Sequence, residues 1–220
     1  MASADDSEAR HPAFPRRLIV SGNGAPTDSR IDRADWFEAD LSGVTHERVL
    51  FQDLDMTDST GSGARFVDCT FRGAKFDGCD LEAASFENCT FVRCSLTAAR
   101  FIGCKFVGST FEAAAAERMA VEGGDWSFVA LPLADLRRAR FTDVRMREAD
   151  LTGAKLGQAV LTNCDLAGAM WSRADLTKCD LRGSDIGDLD PGNVQLHRAI
   201  IDWPQAVLIA RSLGLDVRTD

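Results

Sequence analysis

The seven cysteines of this sequence carry its most reactive side chains, and their spacing decides what they can do. Neighbouring cysteines are separated by multiples of five residues. Zinc sites need pairs of ligands about two to four residues apart, and secreted disulfide frameworks normally use an even number of cysteines. We therefore expect seven free thiols that pack as small hydrophobic side chains, which favours a reducing compartment. They are Cys69, Cys79, Cys89, Cys94, Cys104, Cys164 and Cys179.

The three histidines, His11, His46 and His197, form no recognisable catalytic arrangement. None has a serine or cysteine at a spacing typical of a triad, and the sequence has no G-x-S-x-G, H-E-x-x-H, P-loop or G-x-G-x-x-G motif. Carboxylates such as Asp80 and Glu82 fit a solvated surface. The sequence therefore predicts no catalytic residues, no metal site and no cofactor, and the chain is not expected to be an enzyme.

The charge balance excludes two classes of partner. The chain has 25 basic and 34 acidic residues and a net charge of −9. Such a surface repels phosphate, so direct binding of nucleic acid or of an anionic membrane is not expected. The acidic N-terminus does not resemble a signal peptide, and no apolar stretch is long enough to span a membrane. We expect a cytoplasmic protein.

A period of five residues organises most of the chain. Large apolar residues recur at every fifth position from Ile31 to Ile201, a series of 35 positions, while the positions two residues earlier hold mostly small residues. Neither series contains a charged residue, although charged residues make up 27% of the chain. Helices and ordinary strands have other periods, so this pattern indicates a backbone that turns every five residues. The four exceptions among the large positions are His46, Gly61, Ala116 and Pro191.

The repeating unit resembles that of the pentapeptide-repeat proteins. It is clear in C-T-F-R-G (Cys69–Gly73), A-K-F-D-G (Ala74–Gly78) and C-D-L-E-A (Cys79–Ala83). The resemblance implies an all-β solenoid, a right-handed quadrilateral β-helix of about 8–9 coils over residues 30–202, with four units in each coil. Residues 20 apart would then stack in the core. The expected ladders are Phe51, Phe71, Phe91 and Phe111, and Phe66, Phe86 and Phe106.

Three segments depart from the regular repeat. Ser59–Gly63 and Ala113–Asp125 weaken the pattern, and the sequence leaves open whether each is a poorly filled coil or a loop. Residues 1–29 do not repeat and are expected to form a flexible tail with at most one capping strand.

Residues 203–220 form a C-terminal segment of a different kind. Pro204 is typical of a first helical turn, and Gly214 is typical of a helix end. The helix is too apolar for an isolated surface helix, so it either caps the last coil or also pairs with its twin in a dimer. The candidate interface residues are Ile201, Trp203, Ala206, Val207, Leu208, Ala210, Leu213 and Leu215.

Several segments are similar to the Qnr and MfpA group of quinolone-resistance proteins. They are Ser184–Pro191, Val194–Leu196, Gln205–Gly214 and Leu215–Val217 for Qnr, and Asp40–Phe51 and Gly124–Leu131 for MfpA. This resemblance implies a homodimer, joined through its C-terminal ends, that imitates DNA. Such a protein binds DNA gyrase, or topoisomerase IV, and protects it from quinolones or another gyrase poison. Drug resistance and self-immunity both remain open as roles.

The resemblance also directs attention to the outward acidic residues near the expected dimer centre. The candidate topoisomerase contacts are Asp165, Asp175, Asp180, Asp185 and Asp188. Outward arginines interrupt the acidic character, so the surface is not that of a purely negative mimic. These include Arg137, Arg138, Arg140, Arg145 and Arg147. The alternative function is a non-catalytic scaffold of the same fold that binds an unrelated protein.

Overall fold

Residues 27–218 are described by a computed structural model, and the tail expected at residues 1–29 lies outside them except for its last three residues. The described chain forms strands of three residues each and ends in one helix. The strands are β1 (Arg30–Asp32), β2 (Thr45–Glu47), β3 (Leu50–Gln52), β4 (Thr60–Ser62), β5 (Arg65–Val67), β6 (Thr70–Arg72), β7 (Asp80–Glu82), β8 (Ser85–Glu87), β9 (Thr90–Val92), β10 (Arg100–Ile102), β11 (Thr110–Glu112), β12 (Ala120–Glu122), β13 (Arg140–Thr142) and β14 (Val160–Thr162). The helix is α1 (Trp203–Ser212).

The chain winds as a β-helix with four faces. Parallel pairing joins residues 20 apart, as between Arg30 and Leu50. The first face contains β1, β3, β6, β9 and β11, the third contains β4, β7, β10, β12, β13 and β14, and the fourth contains β2, β5 and β8. On the second face, bridges between residues 20 apart run from Asp35 to Gln195. Four five-residue units therefore make each turn, which confirms the predicted quadrilateral β-helix.

The core is a single apolar column along the axis. The large inward residues are almost all buried, and the phenylalanine ladders form as predicted. The ring centroid of Phe91 lies 5.0 Å from that of Phe71 and 4.4 Å from that of Phe111, and the ring planes are nearly parallel. Phe86 stacks in the same way between Phe66 and Phe106. Each aromatic ring therefore stacks on the coils above and below it, and it also meets rings of its own coil edge-on or at a tilt, as Phe71 meets Phe76 at 5.3 Å.

The two weak segments are coils and not loops. Gly61 lies in β4 and pairs in register with Leu81. In the second segment, Ala115 bridges to Ser95 and to Asp135, and Ala116 is only 3% exposed. The register of 20 residues therefore continues through both segments, and a small inward residue leaves the backbone path unchanged.

All seven cysteines are free and buried, as predicted. Several of them link two coils, because the thiol donates to a carbonyl group one coil earlier. The Sγ atom of Cys104 lies 3.3 Å from the Leu81 carbonyl oxygen, and the Ser109 hydroxyl makes the equivalent bond to the Phe86 carbonyl at 2.7 Å. Burial raises the pKa of the thiols of Cys94, Cys104 and Cys164 to about 11. These thiols are therefore protonated structural donors at neutral pH.

His46 occupies an inward position in the core and packs like an aromatic residue. Its ring is stacked on Phe66 at a centroid distance of 5.6 Å and on Trp36 at 5.7 Å. Burial lowers the pKa of His46 below its ordinary value, because the charged form loses its hydration. The imidazole is therefore part of the aromatic packing of the first coils.

The helix α1 closes the last coil, as the sequence predicts. Asp202 caps its N-terminus, where the side chain accepts a hydrogen bond from the Gln205 backbone and the Gln205 side chain accepts one from the Asp202 backbone. Gly214 has a φ of +80°, which ends the helix in the left-handed conformation. Within residues 27–218, no helix has the length and apolar character required to cross a membrane.

Candidate functional site

The outward surface of the rod is the candidate site, because the axis is filled. Among the described residues, no group of three or more histidine, cysteine or acidic side chains could hold a metal ion. The surface carries open grooves, and one of about 440 Å³ is lined by charged residues that include Arg137, Arg138 and Lys178. Binding of a partner therefore depends on how the outward charges are arranged on the four faces.

A repeated hydrogen bond explains why aspartate is common at the start of each face. The Oδ1 atom of Asp185 accepts a hydrogen bond from the backbone N–H of Gly187 at 3.0 Å, and Asp175 makes the same bond to Thr177 at 2.9 Å. This short bond orients the carboxylate and leaves its second oxygen for solvent or a partner. Part of the acidic composition is thus structural. The same bond is made by Asp35, Asp40, Asp55, Asp125, Asp135, Asp150, Asp165, Asp180 and Asp190.

The five acidic candidates do not share one face. Asp165 and Asp185 lie on the fourth face, and Asp188 lies at the edge where the fourth face meets the first. Asp175 lies on the second face and Asp180 on the third. The fold therefore brings three of the five candidates together and places the other two elsewhere around the rod.

Additional carboxylates join those three on the same side of the rod. We call this set the acidic surface; it consists of Glu148, Asp150, Asp165, Asp185, Asp188 and Asp190. Only Asp165 makes an ion pair within residues 27–218, with Arg147 at 3.3 Å. The six carboxylates span just over two coils, or roughly 10 Å at a coil spacing of about 4.8 Å. The five carboxylates that remain without Asp165 give about one free charge for every 2 Å of axis, close to the value of about 1.7 Å for duplex DNA.

Several of the outward arginines are neutralised by carboxylates of their own or an adjacent coil. Arg182 makes a bidentate contact with Asp180, at 2.9 and 2.7 Å, which lowers the pKa of that carboxyl group. Arg137 holds Asp135 in the same way. Arg145 pairs with a carboxylate one coil earlier, and Arg147 with one on the following coil. Such exposed pairs contribute little stability, but they remove free charge from the surface.

A second set of basic residues, most of them without an ion pair in the described chain, lies along one edge. We call it the basic edge; it consists of Arg118, Arg138, Lys178 and Arg198, which lie where the second face meets the third. Of these four residues, only Arg138 makes an ion pair in the described chain, with Glu117 at 3.8 Å. The basic edge is diagonally opposite the edge at the centre of the acidic surface. The C-terminal coils are therefore acidic on one side and basic on the other.

The predicted dimer residues divide into a packed group and an exposed group. Ile201 packs against the core and is half-buried. Ala206, Val207 and Ala210 are half-buried as well. Trp203 is 75% exposed, and Leu208, Leu213 and Leu215 are also exposed. Part of the C-terminal segment therefore caps the coil, while another part presents apolar side chains to solvent.

Gln205 is an important residue that the sequence analysis did not single out. Its side chain is buried, and its Nε2 atom donates to the carbonyl oxygens of Leu181 and Ser184 at 2.6 and 2.7 Å. These two hydrogen bonds tie the start of α1 to the end of the solenoid. A glutamine three residues after Asp202 is the capping-box pattern, which could have indicated its role.

Comparisons with known proteins agree with this fold. A model of the pentapeptide repeat region matches residues 64–134, and a model of pentapeptide repeats matches residues 127–158 and 154–188. HetL, a pentapeptide-repeat protein involved in the regulation of heterocyst differentiation in the cyanobacterium Nostoc sp. strain PCC 7120, is 18% identical. The alignment covers 84% of this chain and 87% of HetL, with a TM-score of 0.56. Full-length QnrB1, a plasmid-mediated fluoroquinolone resistance protein, is 21% identical over 85% of this chain and 98% of its own, with a TM-score of 0.43. No curated protein sequence matches the chain.

Proposed function

The chain belongs to the pentapeptide-repeat family, and we propose that it is a non-catalytic protein that binds a type II topoisomerase in place of DNA. DNA gyrase is the first candidate partner and topoisomerase IV the second. Occupying the DNA-binding surface would protect the enzyme from quinolones or another gyrase poison. Such a role requires a cytoplasmic protein. The acidic surface, with a charge spacing close to that of duplex DNA, is the observation that carries this proposal.

The geometry of the acidic surface suits a rigid imitation of DNA. Asp185 and Asp190 are each held by a backbone N–H of their own unit, and Asp188 accepts a hydrogen bond from the Gly168 backbone at 2.7 Å. The carboxylates are therefore ordered before a partner arrives, which lowers the entropy lost on binding. Basic side chains of a DNA-binding protein would meet them as they meet phosphates.

The exposed apolar part of the C-terminal segment supports pairing of two chains at this end. On the third face, parallel bridges join nine residues that are spaced 20 apart, from Asp40 to Ile200. One chain therefore extends about 40 Å along the axis, and an end-to-end dimer would extend about 80 Å. The dimer would place both acidic surfaces near its centre. Replacing Leu208 and Leu213 by lysine is expected to give a monomer, because four charges would enter an apolar interface.

Light scattering coupled to gel filtration measures this change in mass. The native chain is expected near 48 kDa, twice the 23.9 kDa of one chain, and the double variant near one chain mass. Met170→Lys is the control, because Met170 is also exposed but lies on the first face, outside the C-terminal segment. A native chain that elutes with the mass of a monomer would contradict the proposed dimer.

Removing two charges from the acidic surface tests the proposed contact. Asp185→Asn together with Asp190→Asn should weaken binding to purified gyrase about tenfold, or ~1.4 kcal/mol. Asparagine keeps a side-chain oxygen that accepts the same backbone hydrogen bond, so the coil is preserved. Asp175→Asn with Asp180→Asn is the matched control: it removes the same charge from the same coils but on other faces, and should change binding about twofold at most.

Binding and inhibition of gyrase supercoiling, each with and without a fluoroquinolone, are the measurements. Equal losses in the two double variants would show that net charge matters and the acidic surface does not. A native chain that neither inhibits nor protects gyrase at micromolar concentration contradicts the proposed function. A scaffold for an unrelated protein partner would then be the remaining function for this fold.

A further inference from the structure

An exposed apolar patch covers the first face of one coil in the middle of the rod. We call it the apolar patch; it consists of Phe128, Ala130, Pro132 and Leu133. Phe128 is 54% exposed and Leu133 is 72% exposed, while Ala130 and Pro132 lie between them and are half-buried. Large exposed apolar side chains in a contiguous group are typical of a surface that binds another molecule.

The positions of Phe128 and Leu133 at the corners of the coil make the patch unusual. Both residues have a positive φ, 60° and 59°, which is the regular conformation of a corner in this coil. On the edge of Phe128 the adjacent coils carry Gly108 and Glu148, and on the edge of Leu133 they carry Ala113 and Gly153.

No other large apolar residue takes such a corner among the described residues. The remaining residues with a positive φ, apart from glycine, are alanine or have charged or amide side chains. The fold therefore does not require a large apolar side chain at either corner, and Phe128 and Leu133 add exposed apolar area where polar residues, alanine or glycine stand elsewhere. Exposed apolar area that the fold does not need is typical of a binding surface.

Carboxylates border the patch on two sides. Glu148 follows Phe128 on the same edge, one coil later, and Asp150 is bridged through its backbone to Ala130. Glu112 lies on the first face one coil earlier. Within residues 27–218, none of these three carboxylates makes an ion pair. The patch is thus an apolar centre with an acidic rim, and it is continuous with the acidic surface.

We propose that the apolar patch is the docking site for a basic amphipathic segment of the protein partner, in which apolar side chains are flanked by lysine or arginine. The inference rests on the proposed function, since that segment would belong to the topoisomerase. Apolar side chains of the segment cover Phe128 and Leu133, and its basic side chains reach Glu148 and Asp150. A second copy of this chain is a poor occupant, because a two-fold axis through the patch would bring the same carboxylates together.

Phe128→Asn together with Leu133→Asn tests the docking site. Asparagine tolerates a positive φ, so the variant should unfold at an equal or higher temperature than the native chain. Its affinity for gyrase should nevertheless fall at least tenfold, because the apolar anchors are lost. Arg118→Asn with Arg138→Asn is the matched control, since both arginines also have a φ of 60° and lie on the basic edge. The control variant should bind gyrase as the native chain does.

The outcomes separate this inference from the proposed function. Suppose that the native chain binds gyrase, that the Asp185→Asn, Asp190→Asn variant binds weakly, and that the Phe128→Asn, Leu133→Asn variant binds normally. The proposed docking site is then wrong, whereas the proposed function stands. If the native chain does not bind gyrase, the proposed function is wrong and the patch is tested directly with a peptide. The probe is a 14-residue peptide of leucine and lysine that forms an amphipathic helix of about four turns. Its binding is measured from the backbone NMR signals of the protein.

The peptide experiment has a definite result in either direction. Signals of residues 128–133 and 148–150 should shift with the leucine–lysine peptide, and the shifts should disappear in the Phe128→Asn, Leu133→Asn variant. A peptide of the same pattern with glutamate in place of lysine should leave them unchanged. Unmoved signals with the leucine–lysine peptide, or equal shifts in the variant, would overturn the docking site.

Discussion

Replacing Gly124 by alanine should destabilise the rod by about 3 kcal/mol or more, one of the largest single-residue effects expected in this chain. Gly124 has a φ of +88°, and a Cβ atom added there would lie 2.0 Å from the carbonyl oxygen of Cys104 and 2.9 Å from its amide nitrogen. Both atoms belong to the backbone of the preceding coil. The clash cannot be relieved by rotating a side chain, so two coils must move apart locally.

The neighbouring glycine provides a matched control for this prediction. Gly123 also has a positive φ, +63°, but an added Cβ atom would meet nothing within 4 Å. Gly123→Ala should therefore cost only the backbone strain of a left-handed alanine, about 1 kcal/mol. Equilibrium unfolding in urea measures both free energies. Equal losses for the two variants would show that the close approach of coils at Gly124 has no energetic weight.

Truncating Phe91 to alanine should remove about 4 kcal/mol from the free energy of unfolding. The ring lies in the middle of a ladder between Phe71 and Phe111, and it also contacts Phe76, Phe86 and Phe106 at centroid distances of 5.6, 5.9 and 5.9 Å. Its loss would leave a cavity inside a column that has no second core to compensate. The stacked neighbours would also lose their contacts, because each coil packs only on the next.

A leucine at the same position separates ring stacking from simple burial. The ladder of Phe91 continues with Leu131 and Leu151, so the coil accommodates leucine, and Phe91→Leu should cost about 1.5 kcal/mol or less. Urea unfolding gives the stability, and hydrogen exchange shows whether the coils on either side of residue 91 open more often. A loss below 1 kcal/mol for Phe91→Ala would contradict a continuous aromatic core.

The acidic candidates show which part of the binding surface can be predicted from the sequence. The period of five places Asp165, Asp175 and Asp185 on the outside, because the inward positions exclude charge. Which of them retain free charge is a separate question. Asp165 is paired with Arg147, eighteen residues earlier, whereas Asp185 has no ion pair in the described chain. Side-chain reach across two coils decides this, and residue type alone does not.

The apolar patch shows a different limit of sequence reasoning. Phe128 and Leu133 occupy outward positions of the repeat, where exposed residues of many kinds occur. Their significance depends on a comparison of the corners, because the other described residues with a positive φ, apart from glycine, are alanine or carry charged or amide side chains. Glu148 becomes part of the rim only because it follows Phe128 on the same edge after one turn of 20 residues.

The core, the period of five and the free state of the cysteines are all evident from the amino-acid sequence. These follow from one physical constraint: a backbone that turns every five residues must exclude charge from two positions in each unit, and such exclusion is visible in a single chain. The fold decides which arginines are neutralised, which carboxylates share a surface and which exposed apolar residues are neighbours. Those properties depend on the stacking of residues 20 apart and on side-chain reach. The net charge of −9 is thereby resolved into an acidic surface, a diagonally opposite basic edge and an apolar patch beside the acidic surface.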